Sequence, residues 1–79
     1  VDLLTNLFNL YCDSNQITSL NLSNNIKLRS LYCGVNQITS LDVSKLTKLY
    51  TLECFNNKIT SLDVTKLKEL MEFKFKQFD

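Results

Sequence analysis

The sequence predicts a repeat solenoid, in which copies of one short structural unit stack into a single domain. Residues 28–48 recur almost unchanged 21 positions upstream, at 7–27, and 21 positions downstream, at 49–69. All three copies carry the pattern LxxLxCxxNxITSL, and 44% of all residues are apolar, as in folded globular proteins. Because a fixed short period is typical of stacked repeats, we predict one domain over residues 1–79 with about three and a half repeats.

Both ends of the chain carry incomplete repeats. Residues 1–6 align with the end of the repeat, so we expect either further chain upstream or a partner that covers this end. Residues 70–79 begin another copy, but Phe73, Phe75 and Phe78 replace the expected Leu, Cys and Asn. Large rings close the open end of a narrow core, and lysines at the outward positions discourage the addition of another strand. We therefore predict a capping strand over residues 70–79.

Each repeat contains one clear strand signal and one ambiguous segment. Apolar and polar residues alternate towards the end of Leu28 to Cys33, which predicts a strand. The second half, Ile38 to Val43, is too short for a regular helix, and its β-branched residues favour a second short strand or a 3₁₀ turn on the opposite wall. Strands in register lie about 4.8 Å apart, so equivalent residues form columns along the stack. The inward columns begin at Leu7, Leu10, Cys12, Ile17, Leu20 and Leu22.

Three cysteines, Cys12, Cys33 and Cys54, recur with the repeat period of 21 residues. A metal site, a redox site and plain core packing are the three interpretations. Thiolates in a straight row do not converge tetrahedrally on zinc, and the sequence has no histidine to complete a site. Columns spaced by about 4.8 Å also exceed the ~3.8 Å between Cβ atoms that a disulfide prefers. We favour core packing, with the thiols protected in the folded chain, and expect no cofactor or metal.

Three asparagines, Asn15, Asn36 and Asn57, end the predicted strands. Asparagine binds ligands in some proteins, but at a strand end it also satisfies the N–H and C=O groups of a dry loop. We favour this structural role.

An acidic residue precedes a lysine by three positions in Asp42–Lys45 and again in Asp63–Lys66. A calcium site is one interpretation, but each repeat offers one carboxylate and no glycine-rich turn. We favour screened surface ion pairs, which contribute about 0–1 kcal/mol each.

The outward strand positions differ between repeats, whereas the inward positions do not. Exposed aromatic residues and arginine are the residue types enriched in binding hot spots. We predict that Tyr11 and Tyr32 stack on neighbouring strands, and that Ser30, Gly34 and Thr51 also face outward. The alternative is that aromatic residues simply suit a sheet face or lean into the edge of the core. The candidate binding residues are Phe8, Tyr11, Arg29, Tyr32, Tyr50, Glu53, Phe55 and Lys74.

The pattern of Leu28, Leu31, Cys33, Asn36 and Ile38 resembles the leucine-rich repeat consensus LxxLxLxxNxL. The 21-residue period and the ITSLDVSK second half are similar to short bacterial leucine-rich repeats, as in internalins and surface repeat proteins of the Bacteroidetes. This resemblance implies a right-handed, β-rich horseshoe segment with a parallel sheet on its concave wall. It also implies non-enzymatic binding of a protein or a glycan, and an extracellular or cell-surface location.

Composition narrows the classes of function. The net charge of +1 is too small to predict a nucleic-acid partner. No apolar run reaches 18 residues, so we expect no insertion into a membrane. The sequence has no histidine, no nucleophile–base pairing and no phosphate-binding glycine loop, so we do not expect an enzyme. The first hypothesis is a protein-recognition module that uses the concave sheet. The second is a structural spacer or assembly element of a larger bacterial surface protein, which pairs edge to edge through open strands.

Overall fold

The computed structural model describes residues 5–75, which form one parallel sheet with its strands in sequence order. Hydrogen bonds continue the ladder beyond each short strand, because Arg29 N donates to Phe8 O at 2.7 Å and Cys12 N donates to Tyr32 O at 2.8 Å. The regular part of each strand is therefore shorter than the six-residue segment predicted from Leu28 to Cys33. The strands are β1 (Asn9–Tyr11), β2 (Ser30–Tyr32), β3 (Thr51–Glu53) and β4 (Glu72–Lys74).

The strand register equals the repeat period. Leu10 pairs with Leu31, Leu31 with Leu52, and Leu52 with Phe73. Each partner therefore occupies the same position in the next copy, and the sequence columns become physical columns. The predicted solenoid segment with a parallel sheet is confirmed.

The second half of each repeat is neither of the two predicted structures. In the second repeat, Leu46 N donates to Val43 O and Leu49 N donates to Leu46 O, both at 3.0 Å, so two separate turns follow one another. The segment before them makes a single backbone bond to its neighbour, from Gln37 N to Ile17 O at 2.9 Å. One bond per repeat does not build a ladder, so the described chain here is extended but carries no regular strand.

The core lies between the sheet and these turns, and it is driest in the second repeat. Leu28, Leu31 and Ile38 have no exposed side-chain surface, whereas the equivalent Leu10 and Ile17 of the first repeat are half-buried. A repeat covered on both sides is closed to water, and a repeat at the end of the described stack is not. Burial therefore depends on the neighbouring repeats as well as on the residue.

The aromatic cap closes the core only in part. Phe75 packs against the core, and its ring lies 6.1 Å from the ring of Phe73 at an angle of 9°. Phe73 occupies an inward position but stays 42% exposed, because no described strand lies beyond β4. Phe78 and most of the predicted tail over residues 1–6 lie outside the described residues. The predicted repeat boundaries therefore remain predictions.

Candidate functional site

The open face of the sheet carries four rows of equivalent side chains. We name them by position: an N-terminal row where the strands begin, then an inner row, a tyrosine row, and a C-terminal row just beyond the strands. The eight predicted binding residues fall in three of these rows, and none in the inner row. The N-terminal row is Phe8, Arg29, Tyr50 and Met71; the inner row is Asn9, Ser30, Thr51 and Glu72; the tyrosine row is Tyr11, Tyr32, Glu53 and Lys74; and the C-terminal row is Asp13, Gly34 and Phe55.

Two tyrosines begin the tyrosine row. The rings of Tyr11 and Tyr32 lie 4.7 Å apart with an angle of 7° between their planes, so the predicted stacking is confirmed. Desolvation, then Tyr11 and Glu53, raise the pKa of Tyr32. Tyr11 remains 70% exposed, so one face of this stack is open to solvent. A rigid pair of rings loses little side-chain entropy when a partner covers it.

Two contacts of charged residues position four more of the predicted side chains. Lys74 Nζ lies 3.7 Å from Glu53 Oε2 at the far end of the tyrosine row. In the N-terminal row the Arg29 guanidinium lies over the ring of Phe8, 5.4 Å from its centre. Exposed contacts of both kinds contribute at most about 1 kcal/mol, so they orient the side chains more than they stabilise the fold.

Two residues of the inner row face outward as predicted but are buried. Ser30 and Thr51 point to the open face as expected, but only 8% and 3% of their surfaces are exposed. Their small side chains lie between two rows of larger ones, which exclude water from them. They form the base of the face and are not available for direct contact with a partner.

The single glycine of the chain is also buried, because a ring from the next repeat covers it. A Cβ atom at Gly34 would lie 2.9 Å from Cε1 and Cζ of the Phe55 ring. Gly34 therefore faces outward as predicted but is buried beneath this ring, and Phe55 itself is half-buried. The sequence holds a signal for this contact: the only glycine stands one repeat before a phenylalanine at the same position.

The turns after β1, β2 and β3 each contain a residue in the left-handed backbone region. The φ angles are 58° at Ser14, 56° at Val35 and 52° at Asn56. Valine is the unfavourable residue of the three, because its branched Cβ clashes with the backbone in this region. Val35 is also 43% exposed, so packing does not compensate for the strain.

Asn36 and Asn57 join consecutive repeats through the backbone, whereas Asn15 is exposed and donates only within its own turn, to the carbonyl oxygens of Cys12 and Asp13. The Nδ2 atom of Asn36 donates to the carbonyl oxygens of Cys12, Cys33 and Gly34 at 3.0–3.2 Å. Its Oδ1 accepts a bond of 3.1 Å from Ile17 N in the previous repeat. Asn57 repeats this arrangement one step further along the stack. These amides satisfy loop groups that water does not reach.

The three cysteines form a column of free thiols beneath the face. Cys33 and Cys54 have no exposed surface and Cys12 is half-buried. Burial raises the pKa of Cys54 to about 11, and burial together with the neighbouring thiols raises the pKa of Cys33 further. In residues 5–75 no group of three His, Cys, Asp or Glu side chains could hold a metal ion.

The acidic residues of the second half bind their own turn. Asp42 Oδ1 accepts a bond of 3.0 Å from Ser44 N, and Asp63 Oδ1 accepts bonds from Thr65 N at 2.9 Å and Oγ1 at 2.7 Å. Hydrogen bonds from Ser44 are the largest cause of the lowered pKa of Asp42. Within the described chain no direct ion pair joins Asp42 to Lys45, and the lysine charge is only a smaller cause of the lowered pKa. The carboxylate of Asp42 accepts from a backbone N–H two residues away, because this donor is held in place whereas a lysine side chain is long and mobile.

These features allow the chain to be placed among known proteins. A family model described as Leucine Rich repeats (2 copies) matches residues 26–69, which is more than half of the chain. The chain belongs to the leucine-rich repeat family. The predicted resemblance is therefore confirmed, and no curated protein sequence matches the chain significantly.

Two solved structures share this leucine-rich repeat fold. One is described as the functional domain of InlJ from Listeria monocytogenes that includes a cysteine ladder; it is 43% identical, with a TM-score of 0.86 over 87% of this chain. The other is an internalin C2 from the same species, 24% identical, with a TM-score of 0.70 over 91% of this chain, and it supports the fold alone. The chain spans 15% of the InlJ structure and 43% of the internalin C2 structure. No helix within residues 5–75 is long and apolar enough to cross a membrane.

Proposed function

We propose that this leucine-rich repeat segment is a non-catalytic recognition module that contacts a protein partner through the open face of its sheet. The observation that carries the proposal is a set of large side chains left exposed on one face of the sheet, two at β1 and one at β3. Tyr11 is 70% exposed, Phe8 52% and Tyr50 47%, although each has a ring that burial would stabilise. Exposed aromatic side chains gathered on one face are typical of an interaction site.

The construction of the face supports the same proposal. The buried Ser30 and Thr51 of the inner row, and the asparagine hydrogen bonds below them, hold the exposed rings on a rigid base. Exposed residues differ between repeats while the core columns stay constant, so the face is free to acquire specificity without cost to the fold. Leucine-rich repeat domains generally mediate protein interactions. We further propose an extracellular or cell-surface location, on the likeness to internalins.

A spacer or assembly element is the second candidate. The specific observation that favours it is that β1 and β4 are edge strands of the described sheet, with ladder groups available to a further strand. The chain also spans only 15% of the InlJ structure, so in that similar protein a unit of this kind is one part of a longer chain.

A display selection separates the two candidates. Proteins and peptides selected on the wild-type chain should bind the Tyr11→Ala/Tyr32→Ala variant at least about tenfold more weakly, because hot-spot rings carry much of the binding energy. The variant should stay folded and melt within about 8 °C of wild type, because the lost ring stacking contributes about 1 kcal/mol, which shifts the melting temperature of a domain of this size by about 4–8 °C.

The control is Thr39→Ala/Thr60→Ala, which changes exposed residues outside the sheet. This variant should bind the selected proteins as the wild type does. Undiminished binding by the tyrosine variant would contradict the proposal and favour the spacer. A selection that yields no protein or peptide, together with binding to a glycan array tested in parallel, would contradict the proposal and favour a sugar ligand.

A further inference from the structure

A groove of about 700 Å³ runs along the beginning of strands β2 to β4, beside the N-terminal row. Three cations line it: Arg29 from one repeat, Lys48 from its last turn, and Lys68 from the turn of the next repeat. Glu69 is the one acidic residue in the lining. The groove therefore holds a local excess of positive charge in a chain whose net charge is only +1.

The lysines of the groove are available to a ligand. Within residues 5–75 neither Lys48 nor Lys68 forms an ion pair or a side-chain hydrogen bond, and both side chains are exposed. Arg29 lies over the Phe8 ring, which fixes its position but leaves its N–H groups without a described carboxylate. Arginine and lysine side chains that line one groove bind carboxylates through charge-assisted hydrogen bonds.

The remaining lining is apolar and separates the cations. Tyr50 is 47% exposed and Met71 80% exposed, and Leu70 is half-buried beneath them. Aromatic and methionine side chains at a charged rim suit an aliphatic side chain of a ligand. The groove therefore offers alternating sites for negative charge and for apolar surface.

We infer that this groove binds a short acidic segment of a protein partner, in which two carboxylates flank an apolar residue. The groove crosses three strands spaced by about 4.8 Å, so it spans roughly three residues of an extended peptide. Glu69 disfavours a densely charged polyanion, because each extra negative charge would approach its carboxylate, whereas separated carboxylates avoid it. The inference rests on the proposed recognition function and names the partner's chemistry.

Amide chemical shifts of the ¹⁵N-labelled chain test the inference with defined probes. The blocked peptide GDLEG should shift residues 48–50 and 68–71 saturably, with a dissociation constant in the millimolar range expected for a few contacts. The neutral peptide GNLQG should bind at least about tenfold more weakly, and raising the salt from about 50 to about 500 mM should weaken GDLEG.

Matched lysine variants separate the groove from general surface charge. Lys48→Ala/Lys68→Ala should abolish the saturable shifts, and its spectrum reports whether it is folded. Lys45→Ala/Lys66→Ala removes the same charge beside Asp42, outside the groove, and should bind GDLEG as the wild type does. Equal binding of both peptides, equal effects of both variants, or tighter binding of a sulfated heparin tetrasaccharide would overturn the inference.

The two proposals fail separately. If GDLEG does not bind while the tyrosine-dependent selection succeeds, the groove inference is overturned and the recognition function stands. If the selection fails and GDLEG still binds through Lys48 and Lys68, the groove is a peptide site. In that case the proposal that a partner contacts the tyrosine row is overturned.

Discussion

At the scale of single residues, the turn after β2 contains two neighbours with opposite effects. Asn36 stabilises the turn, because its buried amide donates to three carbonyl oxygens and accepts from the previous repeat. Val35 is forced by the same turn into the left-handed region, with φ at 56°. Ser14 and Asn56 adopt the same angle, so the turn imposes the conformation on whichever residue occupies the position.

We predict that Val35→Asn stabilises the chain. Asparagine tolerates the left-handed region, as Asn56 does at the equivalent position, and the relief should be about 1 kcal/mol. Thermal or urea unfolding measures the change. Ser14→Asn is the control and should have a smaller effect, since serine is unbranched. A melting temperature for Val35→Asn equal to or below that of wild type would show that Val35 is not strained.

At the scale of one structural element, the cysteine column behaves as part of the core. Cys33 N donates to Glu53 O at 2.8 Å and Cys54 N donates to Lys74 O at 2.8 Å, so each cysteine is part of the strand ladder. Both side chains are closed to water, and burial raises the pKa of each thiol. Cys12 is only half-buried, so complete protection applies to Cys33 and Cys54 and not to Cys12.

The raised pKa values predict that stability falls above pH 9. Unfolded thiols ionise near their ordinary pKa of 9.0, while folded Cys54 ionises near 11 and Cys33 higher, so the unfolded state loses protons first. At pH about 9.5 the two thiols together should cost about 1–2 kcal/mol. Urea midpoints from pH 7.5 to 9.5 measure the loss.

The variant Cys33→Ala/Cys54→Ala is the control for this pH effect. It should be less stable at every pH because of the space it leaves, but its midpoint should depend less on pH. Identical slopes for the variant and the wild type would assign the pH dependence to tyrosines and lysines instead.

At the scale of the whole molecule, stability depends on position in the stack. Each repeat buries its apolar residues only against its neighbours, so the second repeat is dry and the first is half-open. A small domain has little excess stability, because it buries a limited fraction of its surface. Loss of one well-covered leucine should therefore affect the entire chain.

We predict that Leu31→Ala destabilises the chain by about 2–5 kcal/mol, since the leucine has no exposed surface. Leu10→Ala removes the equivalent residue of the first repeat and should cost clearly less, because that side chain is already partly hydrated. Chemical unfolding monitored by circular dichroism compares the two. Equal losses would mean that burial does not vary along the stack.

Much of the fold could be predicted before any coordinates, and the candidate site only in part. The tyrosine stack followed from the period, since Tyr11 and Tyr32 are 21 residues apart on strands in register. The turn contact of Asp42 with Ser44 did not follow, because several polar groups compete locally for one carboxylate. The basic groove could not be predicted in full, because its lysines lie in the turns that precede the strands, where the alternation of a strand does not assign the direction of a side chain.

The sequence by itself determined the solenoid, the strand register and the residues of the core columns, because a repeat of 21 residues in a parallel sheet brings each residue beside its own copy. Only the tertiary structure decided which outward residues remain exposed. Ser30 and Gly34 point outward but are buried, since the exposure of a side chain depends on the size of its neighbours on the adjacent strands. The repeat period identifies those neighbours, but how far each of them covers the residue beside it depends on the side-chain conformations of the folded chain.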